Sequence, residues 1–277
     1  MRVRLWGTRG SVAAPGTDTV RYGGNTSCVE VRGADGTLLV LDAGTGIRPL
    51  GRALGTAIRR VHILLTHFHL DHIQGLGFFA PLYDPDVETH LWGPASTMLD
   101  LRTRLMRYLS PPLFPVHLRD LPHLVLHDLP AGDFDVGEFC VRSERVCHPG
   151  FTVGYRITAR DATLTYLSDH EPALGMSRFP GHADWTSGHA LARDADLLVH
   201  DAQYSLAEYA QHIGWGHSAL EHAIAFADLA QAKHLVTFHH DPAHDDEVVD
   251  RLTADATASL PAPLTVTAGA EGAVFEL

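Results

Sequence analysis

The chain has 277 residues, of which 45% are hydrophobic, so it is long enough for one large α/β domain with a substantial buried core. Its 21 basic and 33 acidic residues give a formal charge of -12 with neutral histidines, which disfavours a broad basic surface that follows a long nucleic acid. No run approaches the roughly 18 apolar residues of a membrane span, and the N-terminus lacks the apolar core of a signal peptide, so we expect a cytoplasmic protein without membrane contact.

The first half of the chain alternates short apolar runs, typical of strands, with segments of helical periodicity. In residues 96–108, for example, apolar side chains recur at intervals of three and four, which predicts a helix that the following proline-rich segment ends. Predicted strands cover 1–6, 28–32, 37–41, 61–65 and 88–92, and predicted helices cover 47–54, 73–79 and 96–108.

The second half repeats this alternation of strands and helices. Two successive sets of elements predict two sheets with helices outside them, one sheet from each half of the chain. We therefore expect a four-layer αββα sandwich that forms a single domain over 1–277. Predicted strands cover 124–126, 139–146, 152–158, 163–167, 194–200 and 234–238, a β-rich segment covers 264–277, and predicted helices cover 219–232 and 246–260.

A dense group of histidines directly follows the predicted strand 61–65. His67, His69, Asp71 and His72 form the pattern T-H-x-H-x-D-H with Thr66. In an extended segment His67 and His69 point to the same side and can bind one metal ion, while Asp71 and His72 face a second position. Imidazole and carboxylate ligands suit zinc, manganese or iron and leave coordination open for water, which indicates catalysis. One histidine alone would be an ordinary core or surface residue, but three with an aspartate indicate a site.

Four later segments combine histidine or aspartate with glycine, serine or proline. The four segments are Cys147-His148-Pro149-Gly150, Leu167-Ser168-Asp169, Gly216-His217-Ser218 and Phe238-His239-His240-Asp241-Pro242. In kind and order they resemble the signature of the metallo-β-lactamase superfamily, and within it the branch of ribonuclease Z and related phosphodiesterases. The resemblance runs through the whole chain and implies the four-layer metallo-β-lactamase sandwich.

The resemblance also implies a ligand set for two divalent ions, with Zn²⁺ preferred and Mn²⁺ or Fe²⁺ as alternatives. His239 is preferred to its neighbour His240, because adjacent strand residues face opposite sides and only one can reach the metal. Asp42 would support the metal-binding loop, or alternatively cap the helix 47–54. The first ion would be held by His67, His69 and His148, the second by Asp71, His72 and His239, and Asp169 would bridge them.

Three residues are expected to act in catalysis, namely Asp71, His217 and Asp201. Asp71 is expected to be a metal ligand as well. In the ribonuclease branch a histidine in a Gly-His-Ser segment lies beside the substrate, steadied by an upstream acid, which implies His217 and Asp201 here. Asp201 stands where a longer glutamate is usual, so its reach is in question. The alternative for the segment is a glycine loop in which Ser218 caps the next helix. Arg9 and the loop around Asn25 are further candidates for substrate contact.

These parts predict a dinuclear metal-dependent hydrolase, a phosphodiesterase that cleaves a small cyclic or oligonucleotide phosphodiester with metal-activated hydroxide. One alternative is a transfer-RNA 3′-processing endoribonuclease, but such enzymes carry a protruding arm, and only 20 residues separate His148 from Asp169. The other is an accessory or non-phosphodiester protein of the same fold, as in cofactor biosynthesis or lactone or lactam hydrolysis. The expected partner is a small anionic phosphodiester, long nucleic acid is disfavoured, and a homodimer is compatible with the resemblance.

Overall fold

The computed structural model describes residues 1–55, 58–121, 123–258 and 263–277. These residues form two seven-stranded sheets. The first sheet has the order β14-β1-β2-β3-β4-β5-β6 and the second the order β13-β12-β11-β10-β9-β8-β7. The first contains β1 (Arg2–Gly7), β2 (Cys28–Arg32), β3 (Leu38–Leu41), β4 (Arg60–Leu64), β5 (Glu88–Gly93), β6 (Leu124–Asp128) and β14 (Val274–Glu276). The second contains β7 (Asp133–Val136), β8 (Phe139–Arg145), β9 (Val153–Ala159), β10 (Ala162–Leu167), β11 (Leu197–Asp201), β12 (His234–Phe238) and β13 (Thr265–Ala268).

Helices cover the outer faces of both sheets. The α-helices in the described part of the chain are α1 (Ile47–Leu54), α2 (Leu70–Ile73), α3 (Leu101–Leu105), α4 (His189–Ala192), α5 (Leu206–Tyr209), α6 (Leu220–Leu229) and α7 (Asp246–Thr257). Short 3₁₀ turns lie at Leu76–Phe78, Ala80–Tyr83, Leu118–Asp120 and Ala183–Trp185. Among these helices, none combines the length and the apolar character that a membrane crossing requires.

The alternation of side chains along each strand divides the core into layers. In β4, Val61 and Ile63 pack outward with the residues of α1 and α3, whereas Leu64 packs inward against the second sheet. A second outer cluster joins β11 and β12 to α4 and α6. The order of layers is therefore helix, sheet, sheet, helix, and the predicted four-layer αββα sandwich is confirmed.

The last strand corrects one part of this prediction. β14 pairs antiparallel with β1, and Arg2 lies opposite Glu276. The C-terminal end thus returns to the first sheet, so the expectation that each half of the chain supplies one sheet is wrong for this strand. Pairing between strands so distant in sequence is decided by the packed fold, because local patterns do not specify a partner.

Three predicted helices differ from the observed ones. Within 73–79, the helix begins earlier, at Leu70, and continues as 3₁₀ turns. Within 96–108, only Leu101–Leu105 is helical, because the Asp100 side chain accepts a hydrogen bond from Thr103 N and starts the helix there. The predicted helix 246–260 ends at Thr257, and its last two positions lie outside the described residues.

Parallel pairing explains where the site lies. β3, β4 and β5 are parallel to one another, as are β10, β11 and β12. Loops that leave the carboxyl ends of parallel strands meet at one edge of a sheet. The histidine motif follows β4, Asp169 follows β10, Asp201 ends β11 and His239 follows β12. Four chemically active segments are thereby placed along the same edge of the sandwich.

Candidate metal centre

The histidine motif changes conformation within its own length. His67 and His69 lie in the extended connection after β4, and His69 is the N-cap of α2, with φ -63° and ψ 150°. Asp71 and His72 then lie in the first turn of α2. Because the backbone turns from extended to helical at His69, the two pairs of side chains face different positions, as the sequence predicts.

Two facing glycines allow this helix to lie close to the loop after β3. A Cβ atom added to Gly75 would lie 2.0 Å from the carbonyl oxygen of Gly44. A Cβ on Gly44 would in turn lie 2.3 Å from the carbonyl oxygen of Asp71. Any side chain at either position would push α2, and the ligands on it, away from the centre.

The candidate ligands form two overlapping groups. In each group the donor atoms all lie within 4.8 Å of one another. Asp169 belongs to both groups, the position that a bridging carboxylate requires, and all members except the exposed His69 are buried. His67, His69, His148 and Asp169 make one group, and Asp71, His72, Asp169 and His239 make the other. The structure thus brings the seven predicted ligands together, while their role as ligands stays a prediction.

Three buried donor atoms without partners indicate whether a cation fits between the candidate ligands. His67 Nε2, His72 Nε2 and Asp169 Oδ1 are buried without a hydrogen-bond partner among the described residues. A buried polar atom left in this state costs roughly 1–3 kcal/mol. His72 Nε2 and Asp169 Oδ1 lie only 2.9 Å apart, yet they make no hydrogen bond. Unsatisfied imidazole and carboxylate atoms that converge in this way fit a pair of divalent metal ions.

Hydrogen bonds from the far side of each ring fix its orientation. A ring nitrogen that faces a carbonyl or carboxylate oxygen carries the proton, so the other nitrogen presents its lone pair. His72 Nδ1 donates to Asp42 Oδ2 at 2.8 Å, His148 Nδ1 donates to Gly216 O at 2.8 Å, and His239 Nδ1 donates to Gln203 Oε1 at 3.0 Å. In His72 and His148 Nε2 is therefore left for a metal. His239 Nε2 also faces a carboxylate oxygen, Asp71 Oδ2 at 3.1 Å, so a metal bound there would displace a proton.

Asp42 connects the two sheets beneath the site. It is fully buried with φ 59°, and its carboxylate accepts hydrogen bonds from Thr66 N at 2.8 Å and Tyr166 Oη at 2.9 Å, besides that from His72. Helix α1 instead has Gly46 at its N-cap position. Asp42 therefore supports the loop that carries the candidate ligands, and the further role as a helix cap is wrong.

The carboxylates give the centre a negative field. Burial alone would raise the pKa of Asp169, but the imidazoles of His239 and His72 hold this pKa well below its usual value. Burial likewise opposes charge on His239, but the carboxylates of Asp169 and Asp71 raise its pKa to about 9. Burial and the neighbouring His72 hold the pKa of His67 well below its usual value. The balance of charge in this pocket favours a bound cation.

His217 and Asp201 lie against this centre. His217 Nδ1 donates to Asp201 Oδ2 at 2.7 Å, so the shorter aspartate does reach the histidine. The ring of His217 stacks on that of His239, with centroids 4.9 Å apart. Asp201 is fully buried and also accepts a hydrogen bond from Ser218 N at 3.2 Å. Helix α6 has Ala219 at its N-cap position and Ser218 Oγ donates to His170 O, so the alternative in which Ser218 caps the helix is wrong.

His240 and Arg9 face away from the centre. His240 Nε2 donates to Gly269 O at 2.9 Å, whereas the left-handed backbone of His239 turns its ring toward Asp71. Arg9 is fully buried, and its guanidinium donates to the carbonyl oxygens of Gly23, Asp241 and His244. The expected contact of Arg9 with substrate is therefore wrong. Asn25 Nδ2 is likewise engaged, with Glu271 Oε2 at 2.9 Å.

Sequence reasoning missed the role of Glu171. Its carboxylate is buried and accepts hydrogen bonds from Gly216 N at 2.8 Å, Gly214 N at 3.0 Å and Tyr209 Oη at 2.9 Å. These bonds fix the glycine loop that carries His217 and whose Gly216 carbonyl orients His148. A glutamate two positions after the expected bridging aspartate was the available signal, but its partners in the glycine loop are backbone N–H groups 43 and 45 residues away.

Comparison with known proteins agrees with this geometry. The model of the Beta-lactamase superfamily domain matches residues 37–240. The chain belongs to the β-lactamase superfamily. Ribonuclease BN of Cronobacter sakazakii is 27% identical to it over 81% of the chain and 86% of the relative. Ribonuclease Z of Haloarcula marismortui is 26% identical over 90% of both. The predicted membership in the metallo-β-lactamase superfamily, in its ribonuclease Z-like branch, is thus confirmed.

Solved structures of this superfamily share the fold over nearly the whole chain. The metallo-β-lactamase fold protein YhfI from Bacillus subtilis has a TM-score of 0.70 and 21% identity, and covers 99% of this chain and 98% of its own. A diphosphatase from the PhnP family has a TM-score of 0.69 and 19% identity, and the match covers 100% of this chain and 97% of the diphosphatase. At these identities the likeness establishes the fold, and the chemistry has to be argued from the site.

Proposed function

We propose that this superfamily member is a dinuclear metal-dependent phosphodiesterase that hydrolyses small cyclic or oligonucleotide phosphodiesters. The observation that carries the proposal is the hydrogen-bonded pair of His217 and Asp201 directly beside the ligand groups. Donor atoms of Asp201, His217 and His239 lie within 4.8 Å of one another. A site of this kind offers cations for a phosphoryl group and a proton donor for the departing oxygen.

We assign to His217 the role of proton donor to the leaving group. Two bound divalent ions would supply Lewis-acid stabilisation of phosphoryl charge and a water of lowered pKa. Asp201 holds the His217 ring through Nδ1, which leaves Nε2 to give its proton to the departing oxygen. The buried carboxylate also stabilises the imidazolium that exists before this transfer, as an orienting acid does in other histidine pairs. Asp71 and Asp169 would be among the residues that hold these ions.

Two features favour a small substrate. Strands β9 and β10 are joined by Arg160 and Asp161 alone, so residues 148–169, all of which the structure describes, contain a tight hairpin in place of a protruding arm. The charge of -12 adds no attraction for a long polyanion. A small phosphodiester requires neither an arm nor a basic surface, since bound divalent ions would neutralise its single negative charge.

A second candidate is transfer-RNA 3′ processing. The names of the curated relatives, ribonuclease Z and ribonuclease BN, favour it. Processing of a folded RNA needs contacts beyond the scissile phosphate, and the tight β9–β10 hairpin offers none at the arm position. We therefore rank this activity below cleavage of small phosphodiesters.

The test is hydrolysis by protein supplied with Zn²⁺ or Mn²⁺. Bis(4-nitrophenyl) phosphate, a β-lactam, a lactone and a precursor transfer RNA are offered in parallel. We expect turnover of the phosphodiester, loss of this turnover in Asp169→Ala, and no cleavage of the lactam. Cleavage of the precursor RNA at its 3′ end with higher kcat/KM would instead establish the second candidate. Turnover of the lactam or the lactone alone would reject both.

A further inference from the structure

Gln203 leaves the carboxyl end of β11 next to the segment that follows β12. The two strands are parallel neighbours, and Ala202 N continues their pairing with a hydrogen bond to Phe238 O at 3.0 Å. Side chains just beyond the two strands can therefore meet. Gln203 is only 4% exposed, so the oxygen and the nitrogen of its amide both need partners in the interior.

The amide of Gln203 has one such partner on each side. Nε2 donates to Asp241 Oδ2 at 3.1 Å, and Oε1 accepts from His239 Nδ1 at 3.0 Å. A carboxylate only accepts hydrogen bonds, so Asp241 requires the NH₂ group on its side and leaves the amide oxygen for His239. Because this oxygen also only accepts, His239 has to carry a proton on Nδ1. The series Asp241–Gln203–His239 thus has a fixed polarity.

Backbone packs closely against the same ring nitrogen. A Cβ atom added to Gly10 would lie 2.3 Å from His239 Nδ1, so a side chain at position 10 would occupy the space of the ring. His239 itself is only 1% exposed. With the ring held in this orientation, the partner of Nδ1 decides which nitrogen keeps a proton and which one offers a lone pair.

The main chain of Gln203 makes a separate contact. Its N–H group donates to Asp201 Oδ1 at 3.1 Å, and Asp201 in turn holds His217. The side chain therefore supports His239, while the backbone supports Asp201. A substitution that alters only the side chain of Gln203 should disturb the first of these contacts and leave the second in place.

We propose that Gln203 is a positioning residue of the metal centre, whose amide, oriented by Asp241, keeps a proton on Nδ1 of His239 so that Nε2 is offered to a metal ion. This inference rests on the proposed function, which requires a second ion at His239. Loss of a group that orients a metal-binding histidine lowers metal affinity by about 10- to 100-fold. We expect a loss of this size for the second ion in Gln203→Met, which keeps the length of the side chain but has no amide oxygen.

The test is a calorimetric titration of the metal-depleted full chain with Zn²⁺ in a chelating buffer. Gln203→Met should bind the second ion more weakly and the first ion as wild type does. Gln211→Met, the same substitution at an exposed glutamine, should bind both ions as wild type does. In Gln203→Glu/Asp241→Asn the polarity of the pair is reversed, because a carboxylate faces His239 and an amide donates to that carboxylate. Affinity for the second ion should then return toward the wild-type value.

NMR of the histidine ring N–H groups separates positioning from general packing. In zinc-loaded Gln203→Met the Nδ1–H signal of His239 should shift, whereas that of His217 should stay, since the backbone of Gln203 still holds Asp201.

Three results would overturn the inference. Unchanged affinity for the second ion in Gln203→Met would show that His239 is oriented without the amide. Equal weakening of both ions, with a displaced His217 signal, would assign Gln203 a packing role. Binding of a single zinc ion by wild type would remove the second metal position and the role of Gln203 with it. If the expected zinc affinities were found but wild type hydrolysed no phosphodiester, the proposed function would be rejected and the role of Gln203 retained.

Discussion

Nδ1 of His217 lies 2.7 Å from Oδ2 of Asp201, and the same carboxylate receives the backbone N–H groups of Ser218 and Gln203. Asp201 therefore serves both as the partner of the histidine and as an anchor for its loop. Because the acid is fully buried, no solvent competes for the hydrogen bond. The orientation of the His217 ring thus depends on this one side chain.

Asp201→Asn is expected to lower kcat by about 10²- to 10⁴-fold with little change in metal content, since the amide removes the charge that steadies the imidazolium. Steady-state kinetics and metal analysis of the purified variant measure the two quantities. His217→Ala should show a loss of the same size, and the double variant should lose no more than either single one. Additive losses would show that the two residues act separately. His182→Ala, at an exposed position, is the control.

His239 and His240 are distinguished by metal content. His239→Ala should retain about one of two zinc ions per chain, because its Nε2 lies 3.1 Å from Asp71 Oδ2 within the second ligand group. His240→Ala should retain both, at reduced Tm, since its ring donates to Gly269 O instead. Elemental analysis after gel filtration gives the stoichiometry. The reverse pattern would exchange the roles of the two residues.

Much of this site follows from sequence, because short motifs at strand ends fix which side chains can meet. The spacing of His67 and His69 required no coordinates. His239 is instead turned toward Asp71 by its left-handed backbone after the end of β12, which strand alternation does not predict. The helix predicted for 96–108 was too long, since a capping aspartate outweighs apolar periodicity. Its buried positions Leu101, Leu105 and Leu109 were nevertheless apolar as the period requires.

Long-range backbone contacts account for what sequence did not show. Glu171 accepts hydrogen bonds from the backbone N–H groups of glycines. Nearly every residue type carries such a group, so the sequence does not show which ones Glu171 binds. The pairing of β14 with β1 is likewise not specified by local sequence, because any exposed strand edge could accept this strand. Arg9 was a candidate for substrate contact because it lies near the expected mouth of the site in the sequence. In the structure, carbonyl oxygens satisfy three of its hydrogen bonds in the interior.

Asp42→Asn should weaken metal binding by about 10- to 100-fold, the usual effect of removing a carboxylate that orients a metal-binding histidine. Asparagine tolerates the positive φ of this position, so the backbone should stay in place. The amide retains similar volume but loses the charge that receives His72 Nδ1–H. Zinc affinity is measured by competition with a chelating dye. An unchanged affinity would show that the charge of Asp42 does not contribute to orienting His72.

Glu171→Gln tests the support of the glycine loop. The amide keeps one acceptor oxygen and replaces the other with an NH₂ group, so the N–H group of either Gly216 or Gly175 is left without an acceptor. We expect a lower kcat, because His217 and the carbonyl that orients His148 both lose position, and a smaller change in KM. The His148 Nδ1 proton, visible by NMR as a slowly exchanging signal, should broaden. Glu247→Gln at an exposed position should leave all three measurements unchanged.

His62 is expected to make the fold sensitive to acid. Burial and the stacked ring of His90, 4.7 Å away, lower the pKa of His62 to about 4. Above the unfolded pKa of about 6.5 both states are neutral and His62 has no effect. As the pH falls from there toward 4, the unfolded chain binds a proton that the folded His62 does not, so stability falls.

His62→Gln should therefore lose less stability than wild type between pH 7 and pH 5, measured as urea midpoints with EDTA present to remove metal effects. His182→Gln, exposed and distant in the chain, should follow wild type, and a parallel fall in His62→Gln would assign the acid sensitivity to other groups.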